Sequence, residues 1–223
     1  MPLPARVSIV GASGALGQGL ARRWAAAGIP LVLGSRESSR AQEAASEVIA
    51  AVPGADIEFG ENHTAAEASP VVVMAVPFAA QADTYKSIAD ALAPGTIVID
   101  ATVPLAPAVG GKPTRTVGVW QGSAAQQAAE LVPDGVVVVS ALHTVSAAML
   151  ADPGHSFDED VLVCGDDREG KKTASQLIEA IEGLRAVDAG RLEQSRIVES
   201  LTALMIGINI RNKTHAGIRI TGL

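Results

Sequence analysis

Three glycines spaced three apart, Gly11, Gly14 and Gly17, stand between a β-branched run and a helical apolar pattern. That junction restricts the folds open to this chain more than any other feature in it. Arg6-Val7-Ser8-Ile9-Val10 has the character of a short buried parallel strand ending on glycine. Leu16, Leu20, Trp24 and Ala27 follow at helical spacing, and Gly28 closes the helix. Pro30-Leu31-Val32-Leu33-Gly34 opens a second strand. Strand, glycine turn, helix and strand form the first unit of a doubly wound, Rossmann-type α/β fold with a mostly parallel sheet.

The turn has a physical reading of its own. Gly11 permits the tight bend, Gly14 removes a side chain where a pyrophosphate must touch backbone, and Gly17 lets the helix pack on the strand. Uncapped N–H groups at the helix start would face the phosphates. The end of the second strand bears on which nucleotide is bound. An NAD site places a carboxylate there for the ribose hydroxyls, but here the chain reads Gly34-Ser35-Arg36, with Arg40 one helical turn on. Guanidinium groups grip a phosphate bidentately, so Ser35, Arg36 and Arg40 suit the 2′-phosphate of NADP. The alternative is that both arginines are ordinary solvated surface residues.

Composition closes off other classes. A formal charge of −7 disfavours nucleic acid as a partner, because phosphate backbones require clustered cations. The lone cysteine, Cys164, allows no internal disulfide and suits a reducing, cytoplasmic setting. The start MPLPARVSIV runs directly into the first strand, with no room for a signal peptide. No apolar run reaches the roughly 18 residues that span a membrane.

Further along, 37–51 reads as an Ala/Glu-rich helix capped by Ser35 or Ser38, 56–60 as an edge-like strand, and 62–68 as a short helix. Residues 70–77 form a buried strand ended by proline, which places Val76 and Pro77 along a ligand crevice at the strand's carboxyl end. A helix over 78–93 and a strand over 96–100 follow. The stretch 101–118 is a long proline- and glycine-rich loop, whose cations Lys112 and Arg115 either meet an anionic substrate or are solvated. A helix over 122–131 and a strand over 136–140 lead into Ala141-Leu142-His143-Thr144-Val145. His143 there either polarises a carbonyl or shuttles a proton, or is a half-buried side chain bonded to backbone. No metal-ligand spacing surrounds it. Strands at 160–164 and 185–188 flank a helix over 168–182 capped by Asp167. The last helix, 191–211, carries Ile197, Leu201, Leu204, Met205 and Ile208 as an apolar stripe, for a partner subunit or for its own sheet.

Five motifs in order, GASGALG, GSR, VVSALHTV, VCGDD and LRAVDAGRLEQSRIVESLTAL, resemble the F420-dependent NADP oxidoreductase family over nearly the whole chain. The first two are common among NADP proteins; SALHT, CGDD and the DAG-to-VESLT segment are far more restrictive. The resemblance implies reversible hydride transfer between NADP(H) and the deazaflavin coenzyme F420, nicotinamide C4 facing deazaflavin C5 in one cleft. The cofactors would carry the chemistry and the protein the stacking distance and polarity. By motif position, Ser13, Gly14, Ala15 and Leu16 would cradle the pyrophosphate, with Ser35, Arg36 and Arg40 on the 2′-phosphate. Val76, Pro77, Val103 and Ala147 would line the nicotinamide half. His143 and Val145 would fall where the rings meet, His143 on the deazaflavin edge and Val145 setting the separation. Residues 1–140 would form the NADP-binding domain and 141–223 a smaller α/β part completing the cleft. The family is usually dimeric, which makes a homodimer the expectation. Two other classes stay open: an NADPH-dependent reductase of an imine, ketone or metal chelate, and a non-catalytic NADP(H) sensor.

The 2′-phosphate assignment is directly testable. Arg36→Ala should raise the Michaelis constant for NADPH roughly ten- to hundredfold, the value of a charge-assisted contact of about 1.5–3 kcal/mol. Any residual NADH activity should be barely touched, and an equal loss with both nucleotides would remove the assignment.

Overall fold

The computed structural model describes residues 3–223. The chain alternates strand and helix: β1 (Val7–Val10), α1 (Ala15–Ala26), β2 (Leu31–Ser35), α2 (Ser38–Ala51), β3 (Ile57–Glu61), α3 (Asn62–Glu67), β4 (Val71–Met74), α4 (Phe78–Ile88) and β5 (Ile97–Asp100). It continues with α5 (Ala124–Leu131), β6 (Val137–Ser140), α6 (Ala147–Ala151), β7 (Glu159–Gly165), α7 (Arg168–Glu179), β8 (Leu184–Gly190) and α8 (Ser195–Asn212). One eight-stranded sheet has the order β3-β2-β1-β4-β5-β6-β7-β8. Every neighbouring pair is parallel except β6 with β7.

The order follows from the sequence chemistry. β1, β4 and β5 are rich in Val and Ile and buried along almost their whole length, as strands covered by helices on both faces are. β3, in which only Gly60 is buried, takes the edge. The order reverses between β1 and β4, so the chain's first and fourth strands part at their carboxyl ends and leave a crevice there. One core cluster packs α1, α2 and α7 on one side of the sheet, centred on Leu20, Trp24 and Leu177. The other packs α4 and α5 through Tyr85, Ile88 and Ala128.

Several local expectations change. Ser35 and Ser38 do not cap α2: Glu37 holds the N-cap position without a side-chain bond, because Ser35 belongs to β2 and meets Ser13 Oγ at 3.1 Å instead. The helix after Asp167 stops at Glu179, although Asp167 does cap it, accepting from Gly170 N–H at 2.6 Å. The loop after β5 is partly ordered by a 3-10 turn at Ala106–Val109 and a bridge between Leu105 and Thr116. A short helix not legible in the sequence, α6, follows the His143 turn. β7 and β8 lie in the same sheet as the first six strands, joined through the antiparallel β6–β7 pair.

α1 sets how closely the segment after β6 approaches. A Cβ on Gly19 would stand 2.6 Å from Leu150 Cβ, so the absence of a side chain sets how closely α6 approaches. One turn later Arg23 donates to the main-chain carbonyls of Leu150 at 3.0 Å, Met149 at 2.9 Å and His155 at 3.1 Å, and also to that of Asp152. Its guanidinium also lies 5.2 Å from the centre of the Phe157 ring.

Candidate active site

The glycine turn is built as a close approach. Gly11 has φ +83°, the left-handed region, and a Cβ there would stand 2.7 Å from Val76 Cγ1. A Cβ on Gly17 would stand 2.7 Å from Gly11 O, so α1 could not seat on the turn with any larger residue. α1 begins after Gly14 with no side-chain cap and no acid in its first turn. Gln18 N–H is the one that reaches back to Gly14 O, at 2.9 Å. Gly14 N–H already donates to Gly11 O at 3.0 Å, and the amides of Ala15, Leu16 and Gly17 are left to a ligand, which fits an anion at this helix start.

A cavity of about 440 Å³ opens here, lined by the turn, the end of β2 and the start of α4. It gathers Gly11, Ser13, Gly14, Ser35, Arg36, Arg40, Val76 and Pro77 from three separate stretches of sequence. Arg36 and Arg40 enter no ion pair among the described residues, although acids outnumber cations in the chain. Two cations facing a glycine turn with no carboxylate partner fit a phosphate ester. Ala15 and Leu16 are the first residues of α1, Val103 follows β5, and Ala147 opens α6; none of these four lines this cavity.

A second cavity, of about 540 Å³, lies between the turn after β6 and the last turns of α8. His143 and Val145 line it, both mostly buried. The turn is strained into place: Leu142 has φ +70°, uncommon for a residue with a branched side chain. Thr202 Oγ1 on α8 donates to His143 O at 2.9 Å and fixes the backbone. Burial lowers the His143 pKa to about 4, so the imidazole is neutral at pH 7. Its Nε2 meets Ser140 Oγ at 3.3 Å, while Nδ1 is buried without a partner. His143 thus brings a neutral ring with one unsatisfied buried nitrogen to the second cavity.

Residues 6–104 match the sequence profile of the family described as NADP oxidoreductase, coenzyme F420-dependent. The F420-dependent NADP reductase of Methanothermobacter thermautotrophicus is 40% identical, covering 98% of this chain and 95% of that protein. The chain belongs to the F420-dependent NADP reductase family. The reductase of that name from Methanocaldococcus jannaschii is likewise 40% identical, over 98% of this chain and 99% of its own length. A crystal structure from Arthrobacter sp. FB24 superposes with TM-score 0.82 at 23% identity, over 98% of this chain and 99% of that one, which speaks to a shared fold.

Two further residue groups in this family member have roles that spacing along the chain does not show. Asn62, at the start of α3, accepts Gly11 N–H at 3.3 Å through Oδ1 and lines the first cavity beside the turn. It carries no motif; only the register of β2 beside β3 brings it there. Glu199 on α8 is buried and accepts Ala124 N–H at 2.9 Å and Ala125 N–H at 3.0 Å, capping α5 from another element. Nearby, Asp100 accepts Tyr85 O–H at 2.6 Å, Gln81 Nε2–H at 3.0 Å and Thr102 N–H at 2.8 Å. Gln81 also donates to Ala124 O at 2.9 Å. This buried polar group locks α4, β5 and α5 together, and burial pushes the Asp100 pKa up against its hydrogen bonds.

Burial raises the Glu199 pKa from 4.5 to about 8, the two amide bonds opposing the shift. A folded state that holds its proton more tightly than the unfolded one loses stability as pH rises. The contribution is therefore full below about pH 4.5 and lost as pH climbs through about 8. Glu199→Gln, which cannot ionise, should flatten the fall in stability over that window. Urea unfolding at a series of pH values reads this, and parallel curves for wild type and variant would show that Glu199 does not titrate there.

Proposed function

We propose that the chain is an oxidoreductase that moves a hydride between NADP(H) and coenzyme F420. The reading is carried by one observation: a chain matched along its whole length by reductases of that name has a nucleotide crevice and a separate, partly apolar cavity at the carboxyl side of one sheet. When bound, NADPH supplies a hydride from nicotinamide C4 and oxidised F420 takes it at C5, with one proton taken up. The chain's part is placement. Gly11, Ser13, Gly14, Ala15 and Leu16 hold the pyrophosphate on the uncapped start of α1, and Ser35, Arg36 and Arg40 hold the 2′-phosphate. Val76, Pro77, Val103 and Ala147 enclose the nicotinamide half in apolar surface that keeps water from the hydride. Val145 spaces the rings. His143, neutral and with a free Nδ1, offers a hydrogen bond to the deazaflavin edge without adding charge. In this reading residues 1–140 bind NADP, residues 141–223 complete the cleft, and the protein works in the cytoplasm. No helix among the described residues is long and apolar enough to cross a membrane.

Purified protein with NADPH should bleach the visible absorbance of oxidised F420, with NADH doing so far more slowly. NADPH deuterated at the transferable C4 position should leave its deuterium on reduced F420, since direct transfer admits no exchange with water. Deuterium lost to solvent would rule out direct transfer; tight NADPH binding with no bleaching would favour a sensor.

The chain is proposed to pair with a second copy through α8, where Ile197 and Leu204, two turns apart on one face, are each 55% exposed. Apolar side chains this open along one helix suit a self-complementary interface. Sedimentation should give a dimer for the wild type and a monomer for Leu204→Glu; a wild-type monomer would discard the pairing.

A further inference from the structure

The segment after α8 is pinned by a buried carboxylate. Asp160, 1% exposed, receives Arg185 Nε and Nη2 on its two oxygens, each at 2.7 Å, and Ile220 N–H at 2.6 Å. Asp160 N–H donates to Ile218 O at 2.7 Å, and Arg219 Nη1 reaches the same carboxylate at 3.3 Å. Arg185 donates in turn to Ile220 O and Leu223 O, both at 2.9 Å. With these partners the Asp160 carboxyl is held at about 2, ionised throughout the working range. A tail of this kind is ordered by charge-assisted bonds in place of an apolar core.

The anchor fixes what lies between it and α8. Thr214 N–H donates to Asn209 O at 3.2 Å, and Ala216 N–H donates to Asn209 Oδ1 at 2.8 Å. His215 Nδ1 meets Ser146 Oγ at 3.3 Å, across from the His143 turn, so its other ring nitrogen stays available. Lys213, in the left-handed region at φ +50°, lines the second cavity beside it. The cavity is apolar along Val145, Met205, Ile206 and Ile210, and cationic only at this tail end. No carboxylate lines it, in a chain that carries 24 Asp and Glu. Lys213 enters no ion pair among the described residues.

We propose that Lys213, with His215 beside it, forms an anion subsite at the mouth of the second cavity that takes the anionic side chain of the deazaflavin, its phosphodiester and the carboxylates beyond. The proposal rests on the hydride-transfer reading and extends it: the apolar wall takes the ring and the tail of the chain takes the charge. Selection for the intact coenzyme over its uncharged ring fragment then comes from a segment that touches no reacting atom. The competing role for Lys213 is to complement the negative end of the α8 dipole, which would concern stability alone.

The test compares two ligands by equilibrium titration of deazaflavin fluorescence: intact F420, and the same deazaflavin riboside lacking the phosphodiester side chain. Asn tolerates the left-handed backbone, so Lys213→Asn removes the charge without straining residue 213. The variant should bind intact F420 about tenfold more weakly and the fragment as the wild type does, the value expected of one charge-assisted contact. Its F420 affinity should also lose much of its dependence on salt, and His215→Gln should show the same selectivity loss to a smaller degree. Equal weakening for both ligands, or none for either, would overturn the subsite and leave Lys213 as a helix-end residue. A wild type that binds neither deazaflavin would overturn the hydride-transfer reading itself.

Discussion

Everything in this protein leans on how closely α1 can lie against the end of β1. Gly17 has no room for a Cβ against Gly11 O, and Gly11 has none against Val76. That contact aims the helix start at the crevice, and it also fixes the direction in which the other end of the helix leaves. There Gly19 admits Leu150, and Arg23 gathers four main-chain carbonyls of the 149–155 segment. A rigid helix of twelve residues thus ties the nucleotide turn to the segment that follows His143 and Val145. Reactions between two bound ligands depend steeply on their relative placement, and a stiff helix that touches both segments is a means of holding it.

Electrostatics are divided between ligand and framework. The cations without ion pairs in the two cavities, Arg36, Arg40 and Lys213, suit phosphate and carboxylate groups of ligands. The buried acids do structural jobs instead: Asp100 joins Tyr85, Gln81 and Thr102, Glu199 caps α5, and Asp160 holds the tail. No group of His, Cys and acids suited to a metal occurs among the described residues. Where cofactors bring the reactive bonds, a protein supplies position and a dry, neutral surface, and the neutral His143 fits that division.

Much of this was legible from residue order. Glycine spacing and β-branched runs implied the parallel sheet, and Ser35, Arg36 and Arg40 line the cavity beside the glycine turn as their place at and after the end of β2 implied. The Asp167 cap was legible because capping is local: the side chain and the amide it accepts lie three residues apart. Ser35 and Ser38 as caps of α2 failed for the complementary reason, since pairing of Ser35 in β2 took precedence over its local preference. Asn62 and Gln81 gave no signal, and Glu199 stood in the VESLT segment without a readable role, because each acts on a partner at least 19 residues away. The tail gave none either, its order coming from the distant Asp160.

The sequence by itself determined the elements, the glycine turn and the cation pair at the second strand, because each depends on neighbours within a turn of helix or a few residues of strand. Only the tertiary structure decided that β7 runs antiparallel and extends the same sheet. It alone brought Arg23 to the carbonyls 126 to 132 residues away, and Lys213, Thr214 and His215 to the second cavity. Those placements rest on buried hydrogen bonds and close packing between distant segments, whose partners are named by the folded geometry and not by spacing along the chain.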